Sequence, residues 1–411
     1  MIYKRVASFA PCIFRCGLRG FTRKMSSGRH QVFVTRSDMP AFKSFNIKLW
    51  NQPSPVPRTD FLKSVPGVNA IYCSLTDKID KELLDAAGSD LKVVATISVG
   101  YDHIDVAECK KRGIRIGYTP DVLTDATAEL TLALLLATSR RLPEAEREAR
   151  SGGWVSWAPT WMTGPGLAGS TVGIVGFGRI GQAVARRVKA FNTNRILYYN
   201  RSERPEAKVN FIVIATDNPN VNRSIKTHDG GLILPEAHYF LRKLGTRLET
   251  REIQTSPHIP LVGPDPHPIT TRIILFQETG AVKVDFDELL QQSDFVICCA
   301  ALVPETKELF NKNAFEKMKR TAVFVNTSRG GTVDQDALVE ALKNKTIRAA
   351  GLDVTTPEPL PLDSPLFKLT NCLVLPHIGS ASIEARDTMS ELTARNILAG
   401  LKGSDMPAEL K

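Results

Sequence analysis

Residues 171–181 read TVGIVGFGRIG, and no other stretch limits the fold as tightly: an apolar run leads directly into Gly176, Gly178 and Gly181. Beyond the glycines Ile180, Ala183, Val184, Val188 and Phe191 recur at helical spacing. The pattern is strand, tight turn, helix. A bare G-x-G-x-x-G is a weak signal. Between a strand and a helix it gains a mechanism, because bare backbone amides and the positive end of a helix can receive a pyrophosphate. Gly176, Gly178, Arg179, Ile180 and Gly181 are therefore candidate dinucleotide-binding residues.

The sequence on either side fits a protein built around such a unit. From Gln31 short apolar strands alternate with helices: QVFVTR, NAIYCSL, the helix KELLDAAG, VVATIS, the helix VAECKKRG, then IRIGY. A long helix is expected to begin near Thr124 to Ala128. After the glycine-rich unit come DFVICCAA, a helix near Lys312 to Met318, AVFVNTS, the helix DQDALVEALKN, RAAGLDV, NCLVLPH and a last helix over 383–401. Alternation of this kind specifies parallel α/β domains, and 411 residues suffice for two. The longest apolar run, LTLALLLA at Leu130 to Ala137, is too short to span a bilayer and argues against a membrane partner.

The strand after the glycines, RILYYN, ends at Asn200, where an NAD-binding unit would place Asp or Glu on the ribose hydroxyls. Arg201, Ser202 and Arg204 stand there instead, two cations and a hydroxyl suited to a 2′-phosphate. NADPH is the expected cofactor, with NADH possible.

Three further residues carry chemistry in a fixed order: Arg329 in NTSRGG, Glu358 in GLDVTTPEP and His377 in NCLVLPHIGS. Singly each has an ordinary reading, as a loop cation, a turn residue between prolines and a histidine at a strand end. Beside a dinucleotide site they form a set. Reduction of a 2-keto acid needs a proton donor for the new hydroxyl, a cation for the substrate carboxylate and an anion that keeps the donor protonated. The chain has seven histidines, of which His228, His238, His258 and His267 fall in one aberrant stretch, so few other donors remain.

With these motifs the chain resembles the D-isomer-specific 2-hydroxyacid dehydrogenases, nearest to the animal glyoxylate and hydroxypyruvate reductases, from about Gln31 to Lys411. The resemblance also rests on SVGYDHID at Ser98 to Asp105, RIGYTPDVLTDATAE at Arg115 to Glu129, GGWVSW at Gly152 to Trp157 and the tail MPAELK. It implies two Rossmann-like doubly wound parallel-sheet domains with the active site in the cleft between them. Residues 25–123 and 383–411 would form the substrate domain and 124–382 the NADP-binding domain. By the same resemblance Val99 and Gly100 offer amides to the substrate carboxylate, and Arg329 binds the carboxylate and keto oxygen. Glu358 sustains the protonated His377, and Thr327, Asp353 and Gly379 serve the cofactor. Glu358 sets the chain apart from formate dehydrogenases, which carry Gln there. Ala301 departs from the pattern, which has a serine near the cofactor. Family members are usually dimers, and the loop at 152–166, with Trp154, Trp157 and Trp161, is where a homodimer contact is expected.

Other readings weighed are a phosphoglycerate dehydrogenase-like enzyme, disfavoured because the chain ends soon after the last helix, and a nucleotide-binding corepressor-like protein, which retains much of the same triad. The net charge of +10 does not imply nucleic acid, because residues 1–24 alone hold Lys4, Arg5, Arg15, Arg19, Arg23 and Lys24 without an acid. That leader resembles a mitochondrial presequence, so a matrix form from Met1 and a cytosolic form from Met25 are expected. Seven cysteines without CxxC spacing imply a reducing compartment and no structural metal.

The resemblance breaks between Lys208 and Glu278. Residues 209–277 hold seven prolines and four histidines and are expected to be an insertion without regular structure. Joining Lys208 to Glu278 restores RSERPEAKETGAVKVDFDELLQQSD, with the expected strand and helix spacing. A Val209 codon starting with GT and a Phe276–Gln277 pair readable as pyrimidine then AG fit a retained intron, which would make the chain an inactive splice isoform; the alternative is a lineage-specific loop.

Overall fold

The computed structural model describes residues 30–39, 46–202, 212–216, 225–226, 271–275 and 279–411. The leader, Arg204, the four clustered histidines and Phe276–Gln277 lie outside the described residues. The chain forms two compact units. One comprises the residues up to Ile97, His103–Tyr118 and Ser390–Lys411; the other comprises Ser98–Asp102 and Thr119–Met389.

The first unit is built on strands β1 (Gln31–Val34), β2 (Asn46–Leu49), β3 (Ala70–Cys73), β4 (Val93–Thr96) and β5 (Arg115–Gly117). Their spatial order is β2-β1-β3-β4-β5, with every pair parallel. Every position of β3 and β4 is buried, as central strands covered on both faces require. Helices α1 (Arg58–Ser64), α2 (Lys81–Ala87) and α3 (Val106–Lys111) connect them. Asp80 and Asp105 cap α2 and α3 by accepting from the amides of Leu83 and Glu108. Neither β2 nor α1 is announced by a pattern in the sequence. Four residues reading NIKL with a half-exposed pattern give too little alternation to recognise β2.

The second unit contributes, in chain order, α4 (Thr124–Ser139), α5 (Leu142–Ser151), β6 (Thr171–Val175), α6 (Arg179–Lys189), β7 (Arg195–Tyr199), β8 (Ile212–Thr216), β9 (Ile225–Lys226), β10 (Thr271–Leu275), β11 (Ala281–Lys283), α7 (Phe286–Gln292), β12 (Phe295–Cys298), α8 (Lys312–Lys317), β13 (Val323–Asn326), α9 (Gln335–Lys343), β14 (Ala349–Leu352) and β15 (Cys372–Val374). Helix α10 (Ile383–Leu401) follows and carries the chain back into the first unit. Seven strands form one parallel sheet in the order β11-β7-β6-β12-β13-β14-β15. The order reverses between β6 and β12, and that switch point is where such sheets bind ligands, outside the carboxyl ends of the strands. Alternate residues feed two cores: Val175, Leu197 and Phe324 face one, Ile174, Tyr198 and Val325 the other.

The long helix expected to begin near Thr124 is α4, and α5 follows as a separate helix because Arg141 takes a left-handed conformation (φ 56°) and Pro143 lies in the first turn of α5. One expectation changes. The segment 209–277 is not devoid of regular structure: β8 pairs antiparallel with both β9 and β10. Its runs IVIAT and TRIIL are rich in β-branched residues, which outweighs the prolines around them. Among the described residues no helix is long and apolar enough to cross a membrane.

The chain end is fastened to the first unit by Asn396, fully buried on α10. Its side chain donates to the Tyr118 carbonyl (3.0 Å) and accepts from the Ala408 amide (2.9 Å). Gly117 leaves room for it, since a Cβ there would lie 2.6 Å from the Asn396 Cβ. Arg115 clasps Glu409 with two hydrogen bonds. Substituting Asn396→Ala removes a partner from the buried Ala408 amide and from the half-buried Tyr118 carbonyl, at about 1–3 kcal/mol each. Urea unfolding should therefore show a loss of about 2–4 kcal/mol, and an unchanged midpoint would refute the fastening role.

Candidate active site

Parallel pairing brings the ends of β13, β14 and β15 to one edge of the sheet. Arg329 leaves β13, Asp353 and Glu358 leave β14, and His377 leaves β15, so residues far apart in sequence become neighbours. The turn bearing Arg329 is shaped by Asn326, fully buried. Its Oδ1 accepts from the Ser328 amide and hydroxyl, and its Nδ2 donates to the Arg329 carbonyl. Gly330 seats that turn on the next loop, where a Cβ would lie 1.9 Å from the Thr355 carbonyl oxygen.

His377 and Glu358 meet directly: Nδ1 lies 2.8 Å from Glu358 Oε2, while the Thr355 amide donates to Oε1 at 3.0 Å. Burial pushes the Glu358 carboxyl up. The His377 hydrogen bond and charge, the Thr355 amide and the Arg329 charge outweigh it, so its pKa falls below the ordinary 4.5. An ionised carboxylate only accepts hydrogen bonds, so Nδ1 carries the proton and Nε2 is the nitrogen left for proton transfer.

Arg329 donates through Nε to Asp102 (3.0 Å) and through Nη1 to the Ser328 carbonyl (2.9 Å). Three of its five N–H donors remain for a planar anion. Gly100 lies against it, since a Cβ there would be 1.7 Å from Nη2. Val99 is half-buried in the same Ser98–Asp102 segment. Asp102 was missed in the sequence. An acid two residues beyond a proposed carboxylate-binding glycine was the available signal. Asn326 gave none, because a polar residue ending an apolar strand resembles any strand exit.

The glycines meet the demands of a dinucleotide. Gly176 has φ 91°, and a Cβ there would approach the Ala300 amide nitrogen to 2.5 Å; at Gly181 a Cβ would approach the Gly176 carbonyl oxygen to 2.3 Å. Gly178 faces open space, and no side chain caps α6 there, so its first amides remain available for phosphate. Arg179 is exposed and paired with Asp121, and Ile180 packs against the core beneath. The described residues that follow β7, Asn200, Arg201 and Ser202, include no carboxylate: Asn200 donates to the Ser202 carbonyl, and Arg201 reaches Glu305 only at 3.9 Å.

Thr327, expected at the cofactor, is buried, with its hydroxyl 2.7 Å from that of Thr131. Thr131 donates to the Thr127 carbonyl, so Thr327 is the donor of the pair and keeps its lone pairs. Asp353 is buried and accepts from the amides of Ile378 and Gly379. Burial raises its pKa despite those amides and the His377 charge. Cys298 is buried and Cys299 half-buried, and among the described residues no group of three His, Cys, Asp or Glu is placed to hold a metal. Trp154, Val155 and Trp157 are 64%, 90% and 82% exposed, so their loop is not packed against its own unit.

Comparison with known proteins gives the family. The family model for the D-isomer specific 2-hydroxyacid dehydrogenase NAD binding domain matches residues 132–225 and 251–379, and its interruption falls inside the expected insertion. The human and mouse glyoxylate reductase/hydroxypyruvate reductases are 45% and 44% identical, over 93% of this chain and 98% of theirs. A solved Thermus thermophilus protein is 35% identical with a TM-score of 0.71, over 93% of this chain and 100% of that one. An NADPH-dependent glyoxylate/hydroxypyruvate reductase of Sinorhizobium meliloti, solved with NADP and malonate, is 26% identical with a TM-score of 0.65, over 93% of this chain and 97% of that one. With a parallel sheet reversing at a glycine-rich turn and a histidine–glutamate pair beside an arginine at the same edge, the chain belongs to the D-isomer specific 2-hydroxyacid dehydrogenases.

Proposed function

We propose that this dehydrogenase reduces hydroxypyruvate to D-glycerate and glyoxylate to glycolate, with NADPH as preferred cofactor. The observation that carries the reading is the 2.8 Å contact between His377 and Glu358 beside the charge of Arg329. The human and mouse relatives bear the names of these reactions.

Arg329 holds the substrate carboxylate with its remaining donors and polarises the keto group, and the Val99–Gly100 backbone supports the same carboxylate. A nicotinamide dinucleotide held by the glycine turn supplies the hydride when bound. His377 gives its Nε2 proton to the carbonyl oxygen, so C=O becomes CH–OH, and Glu358 stabilises the imidazolium until that transfer. A positioned acid contributes about 10²–10⁴-fold to such a step.

NADPH oxidation with hydroxypyruvate by the protein starting at Met25 tests the reading. Turnover supports it; silence, paired with turnover by a version lacking residues 209–277, would make the chain a splice-damaged isoform, and silence of both would refute the reading. Arg201 supports the NADPH preference. Losing a charge-assisted phosphate contact costs about 1.5–3 kcal/mol, so Arg201→Ala should lower kcat/KM for NADPH by about 10–100-fold and leave NADH nearly unchanged. Equal losses with both cofactors would exclude a 2′-phosphate role.

Reduction requires protonated His377 and ionised Glu358. The acid limb of kcat should lie below pH 4.5, where the depressed Glu358 carboxyl finally takes up a proton. Glu358→Gln removes that carboxylate, so kcat should fall by about 10²–10⁴-fold and the acid limb should disappear. A variant that keeps both would separate Glu358 from the proton donor.

The exposed tryptophans support a homodimer through residues 152–166. Sedimentation should return a dimer that Trp157→Ser weakens, and a wild-type monomer at micromolar concentration would oppose this.

A further inference from the structure

Among the described residues no acceptor meets the consecutive backbone amides of Val99 and Gly100. Both residues are half-buried, and successive N–H groups left in this way can receive one anion together. The glycine is required by its neighbour, since a Cβ at Gly100 would lie 1.7 Å from Nη2 of Arg329. Glycine also admits the widest range of backbone conformations, so a pair of donors built on one needs a restraint from elsewhere. Ser98 supplies it. The residue is 5% exposed, and its hydroxyl donates to the Gly100 carbonyl at 2.6 Å. The ring closed by that bond runs through the Ser98–Val99 and Val99–Gly100 peptide planes, the two planes that carry the amides. The Ser98 carbonyl in turn accepts from the Thr119 amide at 2.9 Å. A trans peptide holds C=O and N–H on opposite sides, so that contact turns the Val99 amide away from Thr119.

We infer that Ser98 is the positioning residue of the substrate-carboxylate site: its hydroxyl ties the loop so that the Val99 and Gly100 amides stand as a preformed pair of donors beside Arg329. This rests on the reading of that loop as the one that takes the carboxylate of a 2-keto acid. Ser98 acts through the loop, because its hydroxyl proton is already given to Gly100. Alanine removes the donor and opens a space the size of one oxygen. Cysteine fills that space with a thiol, which is only a weak donor, so the two substitutions separate the hydrogen bond from the volume.

The test uses the full chain from Met25 with saturating NADPH, as wild type, Ser98→Ala and Ser98→Cys. The probe is oxalate, which offers a carboxylate with oxygen on the adjacent carbon, as a 2-keto acid does, and accepts no hydride. Its Kd by calorimetry should rise about 3–10-fold in both variants, the effect of one lost hydrogen bond. The KM for hydroxypyruvate should rise by a similar factor with a smaller change in kcat, as expected for a contact made alike in the ground and transition states. The NADPH Kd by fluorescence quenching should stay at the wild-type value. Wild-type oxalate affinity in Ser98→Ala would overturn the inference, and wild-type affinity in Ser98→Cys alone would do so by assigning the effect to volume. An equal weakening of NADPH would overturn it by placing the damage outside the loop. Oxalate reads the site without turnover. A wild-type chain that binds oxalate but leaves hydroxypyruvate unreduced would refute the proposed substrate while the comparison of variants still decides the role of Ser98; a wild-type chain that ignores oxalate would overturn both.

Discussion

The site depends on the register of three neighbouring parallel strands. Asn326 faces Leu352 and Leu352 faces Val374, so β13, β14 and β15 end level with one another. Arg329 follows its strand by three residues, Asp353 by one and His377 by three. The order of the ladder thus sets which side chains emerge together. Every position of β13 and β14 is buried, and a one-residue slip would turn each side chain toward the opposite core. The two hydrophobic layers therefore hold the chemistry in line although they touch none of it.

At that edge the charges depend on one another. Taking an ion out of water costs several kcal/mol unless a partner answers it. Each carboxylate here is answered differently. Glu358, partly exposed, has His377 and the Arg329 charge and is driven toward ionisation; Asp353, deeply buried and met by two amides, is driven the other way. Two acids whose environments push them apart commonly hold different roles. Glu358 meets the imidazole ring, whereas Asp353 meets the backbone that follows it. Asp102 adds a third arrangement, engaging Nε of Arg329 and leaving the outer nitrogens for a substrate.

Much of this was legible in the sequence because its signals were local. The turn at Gly176, Gly178 and Gly181 announces itself by spacing, and β3, β4, β12 and β13 by unbroken apolar runs. Arg329, Glu358 and His377 were found because the chemistry demands three unlike groups, and their loops could be recognised. Asn326 and Asp102 were not found, since their roles exist only after the chain has folded. The Asn326 side chain completes a turn, and Asp102 meets a residue 227 positions away. The contacts of Asp353 were hidden in the same way: nothing in GLDV indicates that its carboxylate will accept the amides of residues 378 and 379.

The segment between β7 and β11 shows what such a framework tolerates. Those strands form the outer edge of the sheet, β11 being last in the order with only three residues. Lengthening a connection costs entropy that rises only with the logarithm of its length, and an edge connection can lengthen without parting β6 from β12 or disturbing β13 to β15. Position is then the larger concern. The interruption begins a few residues beyond Ser202, where the cofactor's second phosphate is expected, and on the opposite side of the switch point from His377. An insertion at that point would burden dinucleotide binding before it reached the arrangement of acid, carboxylate and guanidinium. The register of β13, β14 and β15 does not pass through it.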